Sequence, residues 1–164
     1  MRDDIQGWAR IAPAVVVLMA GSALGFALVM QFFFDLVPCP LCIWQRWPYV
    51  AAIGIGLLGL GAGRRTSLAW SLRLAALAFL VTAGIGVFHF GVEQHWWEGL
   101  KECAAGPTAG SLDALRNQLL GKPVARCDEI AWSFLGLSMA GWNVVVATLF
   151  ALFSLGASRD AANP

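Results

Sequence analysis

The chain has 164 residues, of which 59% are hydrophobic and only 13% are charged. Soluble domains usually carry about a quarter charged residues, so this composition argues against an ordinary soluble domain. The net charge of +1 gives no electrostatic basis for binding nucleic acid. The sequence also contains no phosphate-binding glycine loop and no internal repeat.

Four long runs of the sequence contain no charged residue. They hold 24, 17, 19 and 29 residues and are Ile11–Phe34, Trp47–Gly63, Leu74–Val92 and Ile130–Ser158. A helix needs about 20 apolar residues to cross the hydrocarbon core of a bilayer. The second run reaches this length if its helix begins near Cys42 and carries Arg46 in its first turns.

These runs predict an all-α membrane protein in which residues 1–164 form a single four-helix transmembrane bundle. We expect the connections on one side of the membrane to be a short loop at about 35–42 and a long loop at about 93–133. The spans themselves are expected at about 11–34, 43–63, 72–92 and 134–157.

An even number of spans places both termini on one side and all four cysteines on the other. Six arginines lie in short segments on the terminal side, whereas five basic residues are spread over a longer stretch on the cysteine side. The positive-inside rule therefore favours cytoplasmic termini. Disulfides persist in oxidising compartments, so we expect the cysteines to face the periplasm.

The run Cys39-Pro40-Leu41-Cys42 lies between the first two spans. A C-x-x-C spacing lets a disulfide close and open within one helical turn, and it often lowers a thiol pKa. Pro40 suits the first turn of a helix, where its missing N–H costs nothing. The alternative is that the two cysteines are merely small apolar residues at a helix end. The membrane position and a second cysteine pair on the same side favour redox chemistry.

Three polar residues interrupt the apolar segments near this end. Arg46 lies one helical turn beyond Cys42 on the same face. It is either an interfacial arginine that snorkels to water or a cation that stabilises a thiolate or reduced quinone beside Cys42. Gln31, within the first span, is expected to mediate a helix–helix contact. For His89, a packing role is favoured over proton transfer.

The second cysteine pair, Cys103 and Cys127, lies in the long polar loop, and its members are 24 positions apart. The pair forms either a structural disulfide or an exchangeable one that a partner thiolate attacks. A zinc site that combines these cysteines with His89 or His95 is disfavoured, because the pair lacks the tight spacing of structural zinc ligands. We therefore expect no metal.

The same loop contains an amphipathic pattern over Ser111–Leu120, with leucines at positions i, i+3 and i+7. Ser111 is suited to cap this segment and Gly121 to end it. We expect a short helix that lies on the membrane surface. A solvated loop helix without lipid contact is the alternative.

Two motifs resemble those of the disulfide bond formation protein B (DsbB) family. The first is Pro38-Cys39-x-Leu41-Cys42-Ile43-x-x-Arg46, and Gln31 falls where family members can carry glutamine. The second begins at Cys127 and continues through Trp132-Ser133-Phe134-Leu135-Gly136-Leu137 to Trp142. The resemblance covers about Gln31 to Trp142, with both motifs in the family's order.

The resemblance implies an inner-membrane four-helix enzyme that reoxidises a periplasmic DsbA-type dithiol oxidase and reduces ubiquinone or menaquinone. By this resemblance, a partner thiolate attacks Cys103 of a Cys103–Cys127 disulfide. Electrons then pass to the Cys39–Cys42 pair by thiol–disulfide exchange. Cys42 faces the quinone, and Arg46 stabilises the charged intermediate.

Two other functions are compatible with the sequence. The first is a membrane conduit for thiol reductant, or a quinone reductase similar to vitamin K epoxide reductase. The second is a non-enzymatic membrane protein with a structural disulfide. For the function that the resemblance implies, the expected partners are a periplasmic DsbA-type thiol oxidase, membrane lipid and quinone, and not nucleic acid.

Overall fold

The charge-free runs form helices, because a helix satisfies its own backbone hydrogen bonds where no water is available. A computed structural model describes residues 7–100, 103 and 126–162. The expected helix at Ser111–Leu120 lies outside the described residues. Each of the four helices is long and apolar enough to cross a membrane; they are α1 (Gly7–Phe33), α2 (Pro40–Leu60), α3 (Arg65–Glu93) and α4 (Met139–Ala162). The prediction of an all-α four-helix bundle is confirmed.

The third helix is the centre of the bundle. It packs along α2 on one side and α4 on the other, and α1 packs mainly against α2. Phe79 is fully buried between Tyr49 and Phe150, with ring centroids 5.9 and 5.4 Å apart respectively. Most other core positions are alanines, which let helices approach closely. Large apolar side chains such as Leu58 and Phe33 point outwards, as expected of a multi-pass membrane protein.

Glycine marks the closest helix crossings. A Cβ atom at Gly56 on α2 would lie 2.8 Å from Cγ2 of Val17 on α1. A Cβ atom at Gly86 on α3 would lie 2.9 Å from Cγ2 of Val144 on α4. Real Cβ atoms do not approach other atoms so closely, so both crossings depend on glycine.

The fourth helix begins at Met139, later than the start expected near residue 134. The intervening residues form a small antiparallel hairpin of β1 (Ser133–Phe134) and β2 (Leu137–Ser138). Leu135 and Gly136 make the turn with φ angles of 51° and 80°. Two consecutive positive φ angles are typical of the tight turns that match the twist of paired strands.

The second helix begins earlier than the expected residue 43. Pro40 is its first residue, so the helix contains Cys42 and begins immediately after Cys39. The chain between Phe33 and Pro40 therefore connects α1 to α2 directly beside the C-x-x-C pair. The C-terminal end of α3 and the hairpin before α4 meet this same end of the bundle.

Candidate functional site

Both cysteines of the C-x-x-C run belong to the first turn of α2. Cys39 is the N-cap residue, and its Sγ accepts a hydrogen bond from the backbone N–H of Cys42 at 3.3 Å. The two residues are free cysteines whose Sγ atoms share a 2.9 Å hydrogen bond. Pro40 fits the first helical position because no N–H is needed there. This arrangement lets the pair form a disulfide with little movement.

A polar chain extends from this pair across three elements. Nε2 of His89 on α3 lies 3.5 Å from Sγ of Cys39, and Nδ1 lies 3.0 Å from the amide nitrogen of Gln45. Oε1 of Glu93, one turn along α3, lies 3.9 Å from Nε2 of His89. The other carboxylate oxygen of Glu93 accepts a hydrogen bond from the Ser138 hydroxyl. All five residues are buried.

The surroundings of Cys39 favour its thiolate. Its hydrogen bond with the Cys42 thiol lowers the pKa most, and burial acts in the opposite direction by raising the pKa. A hydrogen bond and the positive charge of His89 lower the pKa further. The net effect takes the pKa of Cys39 from 9.0 to about 4. Because the thiolate is the nucleophilic form, this site is prepared for thiol–disulfide exchange at neutral pH.

Arg46 lies one turn beyond Cys42 and is half-buried. Its Nη1 donates a hydrogen bond to Oε1 of Gln31 on α1 at 2.6 Å. Gln31 therefore does connect two helices, and it does so through Arg46. No carboxylate within the described part of the chain forms an ion pair with Arg46. Its charge is thus available to an anionic ligand.

These groups border a cavity of about 630 Å³ between α1, α2 and α4. This volume is within the range of pockets that hold small molecules. The wall is mainly apolar, and polar side chains are concentrated where α2 begins. The cavity is lined at that end by Gln31, Cys39, Cys42, Arg46 and His89, and elsewhere by residues that include Phe26, Met30, Trp142 and Phe150. The arrangement suits a flat apolar molecule that has polar atoms on one edge.

A second arginine at the rim of the cavity is neutralised. Arg126 donates to both carboxylate oxygens of Asp128 at 3.0 and 2.7 Å, and it also lies 3.3 Å from Glu129. These contacts raise the pKa of Arg126, and its guanidinium lowers the pKa of Asp128. Among the arginines that the structure describes along the cavity, Arg46 is therefore the one without an acidic partner.

The loop cysteines lie beside the C-x-x-C pair. Cys103 and Cys127 form a disulfide with their Cα atoms 5.0 Å apart. Both are buried, with 2% and 0% of their surface exposed. They share one cluster of buried residues with Cys39, Leu41 and Val92, and Cys42 packs against that cluster. All four cysteines thus meet at one end of the bundle, on the side that the span count assigns to them.

Sequence reasoning did not identify three polar members of the site: Gln45, Glu93 and Ser138. The i, i+4 spacing of His89 and Glu93 on one helix was the available signal for the carboxylate. The sequence favoured a packing role for His89 and did not predict its contact with Cys39. His95 is exposed, with a φ of 58°, and does not reach the site.

The zinc alternative of the sequence analysis does not match this arrangement, because Cys103 and Cys127 are bonded to each other. A different group has the required proximity. The ligand atoms of Cys39, Cys42 and His89 all lie within 4.8 Å of one another. These three residues are the ones that could hold a metal ion within the described ranges.

Comparison with known proteins gives a consistent result. Residues 9–157 match the family model of disulfide bond formation protein DsbB. Disulfide bond formation protein B of Aromatoleum aromaticum is 37% identical over 150 residues, which cover 84% of each chain. The protein of that name from Xanthomonas oryzae pv. oryzae is 34% identical over 88% of this chain and 87% of its own. The one from Marinobacter nauticus is 31% identical over 86% of each. No solved structure matches the chain.

Proposed function

Because the chain belongs to the DsbB family of disulfide bond formation proteins, we propose that it is a quinone-dependent thiol oxidase that reoxidises a DsbA-type dithiol protein. One observation carries this proposal. The C-x-x-C pair borders an apolar cavity and shares a buried cluster with the loop disulfide. A site for an apolar electron acceptor and a site for a thiol protein are therefore next to each other.

The first half of the proposed reaction uses the loop pair. A partner thiolate attacks Sγ of Cys103, so that a mixed disulfide forms and Cys127 leaves as a thiolate. The partner's second thiolate then attacks the partner sulfur that is bonded to Cys103, so that the partner's disulfide forms and Cys103 is released. The partner has lost two electrons and two protons, and the loop pair is reduced.

The second half uses the pair on α2. Exchange with an oxidised Cys39–Cys42 disulfide restores the Cys103–Cys127 bond and leaves Cys39 and Cys42 reduced. Re-forming the Cys39–Cys42 disulfide releases two electrons and two protons, and a quinone held in the cavity would accept them and become a quinol. The contact between His89 and Cys39 supports the thiolate form of this pair.

The binding roles follow from the cavity. We assign Cys42 and Arg46 to contact with the quinone, because both line the cavity and Arg46 brings an unneutralised positive charge. Gln31 holds the guanidinium in place. An arginine at this position stabilises the negative charge that develops on a ring oxygen during reduction.

The proposed location is the bacterial inner membrane, with cytoplasmic termini and periplasmic cysteines. The density of arginines near the termini supports this orientation. The loop disulfide also favours this orientation. Disulfides persist in an oxidising compartment such as the periplasm, whereas the thiols of the cytosol would reduce them. The partners are then a periplasmic thiol oxidase, membrane lipid and quinone.

The test follows quinone absorbance with purified protein in detergent and a reduced DsbA-type oxidase, using ubiquinone and menaquinone in parallel. The wild type is expected to consume quinone and to oxidise an equal amount of partner. Cys42→Ser should abolish both. Cys103→Ser should abolish oxidation of the partner protein. If both variants oxidise the partner at the wild-type rate, the proposal is wrong.

The reverse direction distinguishes the reductant-conduit alternative. Quinol and oxidised partner protein would be supplied in place of quinone and reduced partner. If the partner is reduced by quinol faster than it is oxidised by quinone at matched concentrations, the conduit is favoured. The oxidase proposal expects the opposite ratio.

A further inference from the structure

The proposed oxidase needs two cysteines beside the cavity, but the structure places a third strong metal donor with them. Nε2 of His89 faces Sγ of Cys39 at 3.5 Å, while Sγ of Cys42 is 2.9 Å from Sγ of Cys39. His89 is 4% exposed and comes from a different helix, fifty positions along the chain from Cys39. Two thiolates and an imidazole are a typical zinc donor set.

Two of the three donor–donor distances can be compared with those of a tetrahedral ion, and the third, from Cys42 to His89, is within 4.8 Å. Zinc lies about 2.3 Å from thiolate sulfur and about 2.0 Å from imidazole nitrogen, so tetrahedral angles give sulfur–nitrogen edges of about 3.5 Å and sulfur–sulfur edges of about 3.8 Å. The observed edge between His89 and Cys39 already has the first value. The two Sγ atoms must move apart by roughly 1 Å to reach the sulfur–sulfur value. A small rotation of either cysteine side chain in the first turn of α2 is enough for this movement.

The surroundings supply the remaining parts of a metal site. Oε1 of Glu93 lies 3.9 Å from Nε2 of His89 and is a candidate for the fourth position. Gln45 contacts Nδ1 of His89 at 3.0 Å. With its amide oxygen turned to that nitrogen, Gln45 accepts the Nδ1 proton and directs Nε2 to the metal, as outer partners of zinc-bound histidines do. The cavity gives an ion access to both cysteines and to His89.

We propose that the reduced protein binds one zinc ion, or another thiophilic divalent cation, through Cys39, Cys42 and His89. Both sulfurs bind as thiolates, any remaining thiol proton is released to water, and no electrons are transferred. Binding is restricted to the reduced pair, because the sulfurs of a disulfide are poor zinc ligands. This metal is not a resident cofactor, so the expectation of a metal-free oxidase is unchanged. Under the proposed function, the metal-bound form is withdrawn from turnover.

The test titrates full-length protein in detergent, stripped of quinone, with Zn²⁺ in competition with a chromophoric chelator. Cd²⁺ is titrated separately, because thiolate ligation of cadmium produces ultraviolet charge-transfer absorption. Reduced protein is expected to bind one ion per chain with that absorption, and oxidised protein is expected to bind none. His89→Gln should weaken zinc binding by about tenfold or more. His95→Gln, which changes the other histidine, should leave it unchanged.

A Cys103→Ser, Cys127→Ser double variant identifies the cysteines that bind. Retention of the full stoichiometry and affinity supports the proposal, and loss of binding would move the site to the loop pair and overturn it. Equal binding by reduced and oxidised wild type would also overturn it, without any variant that might fail to fold. An unchanged zinc affinity in His89→Gln would likewise overturn the proposal. The titration uses neither quinone nor partner, so its result is independent of the oxidase assay.

Discussion

Nε2 of His89 and Sγ of Cys39 lie 3.5 Å apart, although they belong to different segments of the chain. The packing of α2 on α3 sets this distance. About two turns deeper in the bundle, the hydroxyl of Thr82 on α3 donates to the backbone oxygen of Gln45 at 2.8 Å. Asn143 on α4 donates in turn to the backbone oxygen of Thr82 at 3.2 Å. The register of three helices therefore positions the histidine against the thiol.

Replacing His89 should make Cys39 a weaker acid. In a reduced Cys103→Ser, Cys127→Ser background, where the loop thiols do not contribute, the thiolate absorbance of Cys39 should titrate with a midpoint of about 4. His89→Gln removes a hydrogen bond and a positive charge that favour the thiolate, so the pKa must rise and the midpoint must move to higher pH. The pH dependence of alkylation by iodoacetamide, measured in a Cys103→Ser, Cys127→Ser background, gives an independent check.

His95→Gln is the matched control for this experiment, because His95 is exposed and outside the site. Its titration should coincide with that of the wild type. A His89→Gln midpoint that equals the wild-type midpoint would show that His89 does not stabilise the thiolate.

Removing the guanidinium of Arg46 should weaken the quinone step. Hydrogen bonds to charged groups contribute about 1.5–3 kcal/mol, so Arg46→Ala should raise the apparent KM for quinone by about 10- to 100-fold. Gln31→Ala leaves the charge but removes the 2.6 Å contact that orients it, and it should produce a smaller increase. Steady-state kinetics with varied quinone and saturating partner measure both effects.

Arg73→Ala is the control for Arg46→Ala, because it also removes one arginine. Arg73 lies over the ring of Trp70 at 5.2 Å, on α3 and away from the cavity lining. Its KM for quinone should equal that of the wild type. If Arg46→Ala and Arg73→Ala behave alike, the cation in the cavity has no role in binding.

The crossing of α3 and α4 should not tolerate a side chain at Gly86. The nearest atoms to a Cβ there are Cγ2 of Val144 at 2.9 Å and Nδ2 of Asn143 at 3.0 Å. Gly86→Val should therefore destabilise the bundle by about 1–3 kcal/mol, which is typical of overpacking. Gly84→Val on the same helix serves as the control, because a Cβ at Gly84 meets nothing within 4 Å beyond its chain neighbours and the adjacent backbone of α3. Thermal unfolding in one detergent, followed by circular dichroism, compares the two. Equal midpoints would contradict the crossing described.

The Ser138 hydroxyl should stabilise the start of α4. It accepts a hydrogen bond from the backbone N–H of Gly141 at 3.2 Å and donates to buried Glu93. Ser138→Ala removes a helix cap and leaves a buried carboxylate oxygen without its donor, which should cost about 1–3 kcal/mol. Ser154→Ala is the control, because Ser154 donates only to the carbonyl of Phe150 within its own helix. Its unfolding midpoint should stay near that of the wild type, and a similar loss in both variants would exclude the cap.

Charge-free runs were sufficient to predict the number of helices, because the cost of an unpaired charge or backbone group in a bilayer is large. They were not sufficient to predict where α4 begins. The residues Ser133–Ser138 are as uncharged as the helix that follows. The hairpin forms because Leu135 and Gly136 adopt positive φ angles, which the apolar pattern does not encode.

The candidate site was predictable only in part. Spacing indicated that Cys42 and Arg46 share a helical face, and the span count brought the loop cysteines to the same side. The contacts of His89 with Cys39 and Gln45 depend on the rotation of α3 about its axis. That rotation is set by the packing of α3 on two neighbours, and α3 has apolar residues on every side, so its sequence does not reveal which face is inward.

The burial of the loop disulfide has a consequence for selectivity. Thiol–disulfide exchange requires the attacking sulfur to approach along the axis of the bond. Cys103 and Cys127 present almost no surface to a thiol in solution. A free small thiol of the compartment is therefore kept at a distance by geometry, whatever its reducing power. Under the proposed function, a protein donor must therefore make this disulfide accessible when it docks, so access as well as reducing power would select the electron donor.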